Sequence, residues 1–419
     1  MAKSTGAFHS LTPPARRILL GNGISSVGTG LTFTFLVIYL GEVRGLGTLT
    51  AGLIVAYMAV IGLVCGIAVG PIVDRFGPRP VLMVGLVVIS IGVESLTLVA
   101  TVPSALAAAT IISIGNATFW APQAALYARV TPHDKRQDVF GLQFMVLNLG
   151  LGIGGLIAAT IIKVDQPTTF TILYLIDAAT FLVYAAILVP MRGVGTGRAV
   201  DVDDTPRSSS GGYRQVLADR ALLRIALGSV VLLTFGYGSL EVGLPTITTI
   251  IGGLSPSVVA VAYAINTAVI VVLQIFVLRL VRGRSRTRAA FVVGLLWASA
   301  WILTGISIGF TPIVAAVCIC VGVAVFALGE CIWSPVAPAM VNDLAPDSLR
   351  GRYNAVISWT WNASNALGPA IAAVLLGAGE ATWWVLLVAS GCLVGGYLLL
   401  RARTLLTPAQ DGRDVPYSR

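Results

Sequence analysis

Four carboxylates, Glu94, Asp177, Glu241 and Glu330, stand inside long apolar stretches of this 419-residue chain. A charged carboxylate at the centre of a bilayer costs about 2.5–3.5 kcal/mol on insertion scales, so acids kept there mark a function or a buried partner. No Lys or Arg lies beside them in those interiors. A carboxyl with no cation to pair with is suited to taking up and releasing a proton. Helical spacing groups further polar residues with these acids. Thr234, Tyr237, Glu241, Pro245 and Thr248 fall on one face of a helix. Asn116, Trp120, Gln123 and Tyr127 share a face in the same way, as do Asn22, Ser26, Thr29 and Phe33. Polar stripes on apolar helices face protein or a water-filled cavity and not lipid. Ser90, Glu94, Thr97 and Thr101 form a fourth stripe.

The elements that must position these residues are membrane spans. The chain is 56% hydrophobic and 11% charged, where a soluble domain carries about a quarter charged residues. Twelve apolar runs of bilayer-crossing length cover 18–40, 49–73, 80–101, 104–129, 139–162, 169–190, 221–247, 257–281, 287–309, 312–340, 352–377 and 381–402. They are too long and too continuous for barrel strands, which are about 9–11 residues and alternate. The expected fold is an all-α membrane protein with twelve transmembrane helices.

The charge pattern orients it. Twenty-five of the 27 Lys and Arg residues occupy seven short segments that fall in every second loop, and Arg44 and Lys163 lie in the loops between. Basic loops stay on the cytoplasmic side, so both termini are expected there, in a multi-pass plasma-membrane protein. This accounts for the net charge of +9 with no nucleic-acid partner. The five cysteines lie within spans and both histidines in loops, which gives neither a disulfide framework nor a metal spacing; no cofactor is expected. The basic stretch 1–17 precedes an apolar run with no small-residue cleavage pattern, so that run reads as a retained span.

The organisation is a cytoplasmic N-terminus (1–17), a six-helix bundle (18–190), a cytoplasmic linker (191–220), a second six-helix bundle (221–403) and a cytoplasmic tail (404–419). The linker is rich in Gly, Ser, Asp and Arg and includes Ser208-Ser209-Ser210-Gly211-Gly212. Its end, Tyr213 to Arg224, is suited to lying on the membrane surface. An internal repeat links the bundles. Trp120-Ala121-Pro122 parallels Trp333-Ser334-Pro335, Pro132 parallels Pro346, Asn148 parallels Asn362, and Gly154-Gly155 parallels Gly368-Pro369, at an offset of 213 to 214. Two pseudo-symmetric halves of like topology imply a midplane binding site and access that alternates as the halves rock.

Between the second and third spans stands Gly70-Pro71-Ile72-Val73-Asp74-Arg75-Phe76-Gly77-Pro78-Arg79-Pro80. Gly70, Asp74, Arg75, Gly77 and Arg79 match the Gly-x-x-x-Asp-Arg-x-Gly-x-Arg/Lys pattern, which closely resembles motif A of the major facilitator superfamily. The resemblance covers nearly the whole chain and implies the major facilitator fold. It also implies a cytoplasmic gate closed by Asp74; Arg129, at the end of the fourth span, is its candidate partner. The corresponding second-half loop, Arg282-Gly283-Arg284-Ser285-Arg286, has no aspartate. A second resemblance lies in the fifth span, where Asn148, Gly150, Gly154 and Gly155 look like the glycine-rich motif C of drug/proton antiporters. Its proline is absent, and Pro369 follows Gly368 in the eleventh span instead. Small residues four apart allow close helix packing, which is the alternative role. The arginine that such antiporters often carry in the fourth span is Ile111 here, taking Gly115 as the reference glycine.

In the family, spans one, four, seven and ten line the central cavity. This ranks Glu241 and Glu330 as proton-coupling candidates above Glu94 and Asp177, which lie on peripheral spans. Asn22, Thr29, Asn116, Trp120, Gln123, Tyr127, Tyr237 and Trp333 become the candidate substrate contacts. The implied function is a proton-coupled exporter of lipophilic neutral or cationic small molecules, competent as a monomer. Interior acids and aromatics suit such compounds, and the lack of interior cations disfavours anions. An uptake symporter or uniporter is the alternative, and a membrane receptor or scaffold the remote one. No catalytic triad or phosphate loop suggests an enzyme.

Overall fold

A computed structural model describes residues 11–163, 165–191, 193 and 212–413. Lys3, His9 and most of the linker, including Ser208-Ser209-Ser210-Gly211, lie outside the described residues. Among the described residues the chain is helical, with no strand. Twelve principal helices stand where the apolar runs predict them. The first six are α1 (Pro13–Thr32), α2 (Thr48–Phe76), α3 (Pro78–Ser95), α4 (Val102–Val130), α5 (Arg136–Ile161) and α6 (Pro167–Leu188). The second six are α7 (Arg220–Phe235), α8 (Pro256–Val281), α9 (Arg286–Ile306), α10 (Pro312–Leu344), α11 (Arg350–Gly377) and α12 (Ala381–Arg401). Ten spans are long and apolar enough to cross a membrane, and α1 with its continuation makes an eleventh. α11 is as long but more polar, carrying Asn354, Asn362 and Asn365.

Local chemistry sets the helix starts. Pro13, Pro78, Pro103, Pro167 and Pro256 fall in first turns, where a missing N–H costs no hydrogen bond. Thr101, Asp219 and Ser255 cap α4, α7 and α8 with their side chains. Gly77 alone separates α2 from α3, at φ +87°, a conformation that favours glycine.

The chain forms two compact units. One is Met1–Ser209 with Ala345–Ser358; the other is Ser210–Leu344 with Trp359–Arg419. The same packing scheme recurs in both. In the first unit α1 packs on α5 and α6, α4 on α2 and α3, and α3 on α6. In the second, α7 packs on α12, α10 on α8 and α9, and α9 on α12. The Ser364 hydroxyl of α11 donates to the Val230 carbonyl of α7 (3.2 Å), completing the parallel with α5 on α1.

Two helices depart from the expected continuous spans. After α1 the chain passes through a 3₁₀ turn (Phe33–Phe35), one α turn (Leu36–Ile38) and a π turn (Tyr39–Val43), with a bend of 41°. After α7 it turns at residues 236–239, then forms Leu240–Pro245 and a π segment, Thr246–Ile251. The stripe Thr234-Tyr237-Glu241-Pro245-Thr248 is therefore not one helical face. Gly236 and Gly238 explain the second break. A Cβ on Gly236 would meet the Trp297 ring at 2.1 Å, and one on Gly238 would meet the Ser364 carbonyl at 2.5 Å.

Candidate functional site

The second unit gathers its polar chemistry around Glu330. The α10 backbone places this side chain inward, 3% exposed. Asn266 of α8 donates its amide to Glu330 Oε2, and Tyr237, from the break after α7, lies beside the same carboxyl. Aromatic rings enclose Tyr237. Its centroid lies 4.6 Å from Trp361, 6.1 Å from Phe326 and 6.3 Å from Trp297. Trp297 stacks on Phe326 at 4.7 Å and lies 6.4 Å from Trp333. A buried acid with an amide donor, beside a tyrosine flanked by π-faces, can hold a proton or an organic cation. Glu241 sits differently: it is exposed, in the first turn of Leu240–Pro245. Among the described residues none of the four interior acids makes an ion pair.

The first unit holds a neutral network. Gln123 of α4, fully buried, donates to Asn22 Oδ1 of α1 (3.0 Å) and to the Tyr184 hydroxyl of α6 (2.9 Å). Gln143 of α5 donates to Gln123 Oε1 (2.6 Å). The Asn22 amide nitrogen and the Tyr127 hydroxyl are buried without a partner. Asn22, Gln123 and Tyr127 thus fall inside, while Asn116 and Trp120 of the same α4 stripe are exposed. Thr29, half-buried, donates back to the Ser25 carbonyl (3.0 Å).

The two lower-ranked acids also separate. Glu94 is exposed. Asp177 is 2% exposed and accepts the Thr32 hydroxyl at 2.6 Å, while its Oδ1 has no partner.

The motif A residues bond to different neighbours. Asp74 accepts the Gly351 N–H at the start of α11 (2.6 Å) and the Arg352 guanidinium (2.9 Å). The partner is Arg352 and not the expected Arg129, which is exposed in the last turn of α4. Approach explains the choice: a Cβ on Gly351 would meet the Gly70 carbonyl at 2.6 Å, so α11 begins directly against the end of α2. Arg79 donates to the Leu188 and Val189 carbonyls (2.9 and 2.8 Å), tying α3 to the end of α6. Arg75 is exposed and lies over the Phe76 ring (5.2 Å).

The glycines of the fifth span lie against α1. A Cβ on Gly154 would meet the Val27 carbonyl at 2.1 Å, and one on Gly150 would meet the Ser26 Cβ at 2.6 Å. Gly155 stands clear at 3.8 Å. Gly368 meets Gly238 in the same manner, at 2.5 Å, with Pro369 the next residue of α11. Asn148 bonds only within α5, to the Phe144 carbonyl (2.9 Å), and Asn362 is half-buried.

In the second-half loop the missing aspartate comes from elsewhere. Asp411, fully buried, accepts from Thr287 N–H (3.0 Å), the Thr287 hydroxyl (2.9 Å) and the Ser285 hydroxyl (2.8 Å). Arg286 pairs with Asp343 at the end of α10 (2.5 Å) and donates to the Gln410 carbonyl (3.0 Å).

Asn266, Gln143, Tyr184, Trp361, Arg352 and Asp411 are absent from the sequence-derived set. Asn266 was visible as a polar residue in an apolar run. The others depend on contacts between distant parts of the chain.

Two like six-helix arrangements with polar centres, joined to a bonded motif A loop, define a membrane transporter. The family model of the Major Facilitator Superfamily matches residues 18–334, and the chain belongs to that superfamily. It is 24% identical over 376 residues to an uncharacterized MFS-type transporter, YdeE, of Escherichia coli K12, covering 88% of this chain and 90% of the relative. It is 27% identical over 358 residues to the multidrug resistance protein MdtH of Edwardsiella ictaluri, covering 82% and 83%. Among solved structures, a bacterial homologue of the iron transporter ferroportin superposes with a TM-score of 0.77 over 94% of this chain and all of that one, at 12% identity, a likeness of fold.

Proposed function

We propose that this transporter is a proton-coupled exporter of lipophilic neutral or cationic small molecules, working by alternating access between halves 18–190 and 221–403. In this reading it acts as a monomer in the plasma membrane, with both termini and the linker cytoplasmic. The observation that carries the proposal is Glu330, an inward acid that accepts the Asn266 amide, lies beside the ring-flanked Tyr237 and makes no ion pair among the described residues. One carboxyl that holds either a proton or a substrate cation couples their opposed movement, because each occupant excludes the other. The likeness to proteins named for multidrug resistance supports the same reading. Asp74 with Arg352 serves as the gate that the family motif implies.

The test is flux in proteoliposomes under an imposed pH gradient, with tetraphenylphosphonium as probe cation. The wild-type protein exchanges it against protons, and Glu330→Gln loses at least tenfold of the gradient-driven rate. Unchanged gradient-driven flux in Glu330→Gln would sink the mechanism.

The uptake alternative draws on the Asn22–Gln123–Tyr184–Gln143 network, whose neutral donors and acceptors suit a hydroxylated solute. Proton-driven accumulation of such a solute in the same vesicles, with no cation exchange, would favour it.

A further inference from the structure

The breaks in the first helix of each half share a design that the coupling site does not use up. Both follow one sequence of pieces: a long α-helix, a break, a short α segment and a π turn. In each, a residue at the break lies against a buried carboxyl on another helix. After α7 this is Tyr237 with Glu330; at the end of α1 it is Thr32 with Asp177. Thr32 is the last residue of α1 and has already left helical geometry (φ −120°, ψ −49°).

We propose that Asp177 is a second proton-binding site, and that its proton releases the segment of residues 33–43 from α6. The bond from Thr32 to Asp177 Oδ2, at 2.6 Å, has the length of a hydroxyl held by a carboxylate. Protonation turns that oxygen pair into a neutral acid, and the bond loses its charge assistance. Thr32 then has a second acceptor within reach, the Thr29 carbonyl of its own helix, now 3.4 Å away. The other carboxyl oxygen, Oδ1, is buried with no hydrogen bond among the described residues, the adjacent Thr180 hydroxyl being donated to the Asp177 carbonyl (2.7 Å), and can carry the proton. It lies where a Cβ on Gly28 would come within 2.6 Å, so the glycine leaves its space open.

The surroundings contain few other charges. α1 and α3 are the long helices packed on α6. α1 carries only Arg16 and Arg17, at its opposite end. α3 carries Arg79, bound at the last carbonyls of α6, and the exposed Glu94. On α6, Tyr174 lies edge-on to Tyr39, whose hydroxyl brings the Arg44 guanidinium close. Tyr39 is the second anchor of the segment. Its ring lies 4.8 Å from Tyr174 and 5.3 Å from Phe170, and its hydroxyl donates to the Leu96 carbonyl (2.8 Å) and accepts from Arg44 (2.7 Å). Beyond its packing on α2, the segment thus has two polar anchors, only one of which depends on a carboxylate.

Hydrogen–deuterium exchange of residues 33–43 in lipid nanodiscs, corrected for intrinsic rates, tests this at mildly acidic and mildly alkaline pH. The wild-type segment exchanges about tenfold faster at the acidic pH, the equilibrium cost of one charge-assisted bond. Asp177→Asn and Thr32→Val exchange at the fast rate at both pH values, Thr32→Ser restores the pH response, and Glu330→Gln keeps it. Three results overturn the proposal: no pH response in the wild type, a wild-type response in Asp177→Asn, or exchange that is faster in Asp177→Asn but still pH-dependent. Because the readout is not flux, it separates from a failure of the coupling role of Glu330.

Discussion

Burial distinguishes acids that composition treats alike. Glu330 and Asp177 are held by named donors in the interior, and Glu94 and Glu241 are exposed. All four were legible as acids in apolar runs, because period and hydropathy are local properties. Their different surroundings were not, because Asn266 lies 64 residues from Glu330 and Thr32 lies 145 from Asp177. The proton-coupling pair named from sequence therefore divides. Glu241→Gln is expected to keep gradient-driven tetraphenylphosphonium flux within about twofold of wild type, in contrast to Glu330→Gln. Equal loss in the two variants would return Glu241 to the coupling site.

At the scale of elements, helices pack where side chains are absent. Gly150 and Gly154 of α5 lie against α1, and Gly238 meets Gly368 between α7 and α11. These contacts give the antiporter-like glycine run a packing role, whatever else it does in transport. Gly154→Val places carbon inside the van der Waals radius of the Val27 carbonyl. Overpacking of this kind costs about 1–3 kcal/mol, so the variant is expected to melt several degrees lower in detergent. Gly155→Ala, whose Cβ would meet the Gly30 carbonyl at an ordinary 3.8 Å, is expected to melt as wild type and controls for composition. The four-residue spacing of Gly150 and Gly154 puts both against α1. The sequence did not predict the breaks at 33–35 and 236–239, since neither holds a proline. They arise where tertiary partners bond or crowd the backbone.

Over the whole molecule, residues far apart in the chain complete the loops. Asp74 reaches Gly351 and Arg352, and Asp411 reaches Ser285 and Thr287. The tail is therefore part of the second unit's loop. Asp411→Ala removes the acceptor of a buried N–H and of two hydroxyls, which keep only each other as acceptors at 3.1 Å, a loss of about 1.5–3 kcal/mol per bond to a charged group. Limited trypsin treatment should then cut at Arg284, Arg286 or Arg288 at least tenfold faster than in wild type. Unchanged cleavage would show that Arg286 with Asp343 holds the loop unaided.

The sequence by itself determined the class of this protein, its succession of long apolar helices, their repeat and the motif A loop. Hydropathy, helical period and turn chemistry act over a few residues, and a bilayer leaves few folds that satisfy them. Tertiary structure alone decided which acids are enclosed, which cation meets Asp74 and where the first helix of each half breaks. Those outcomes depend on which side chains converge from distant helices, and no local pattern encodes that convergence.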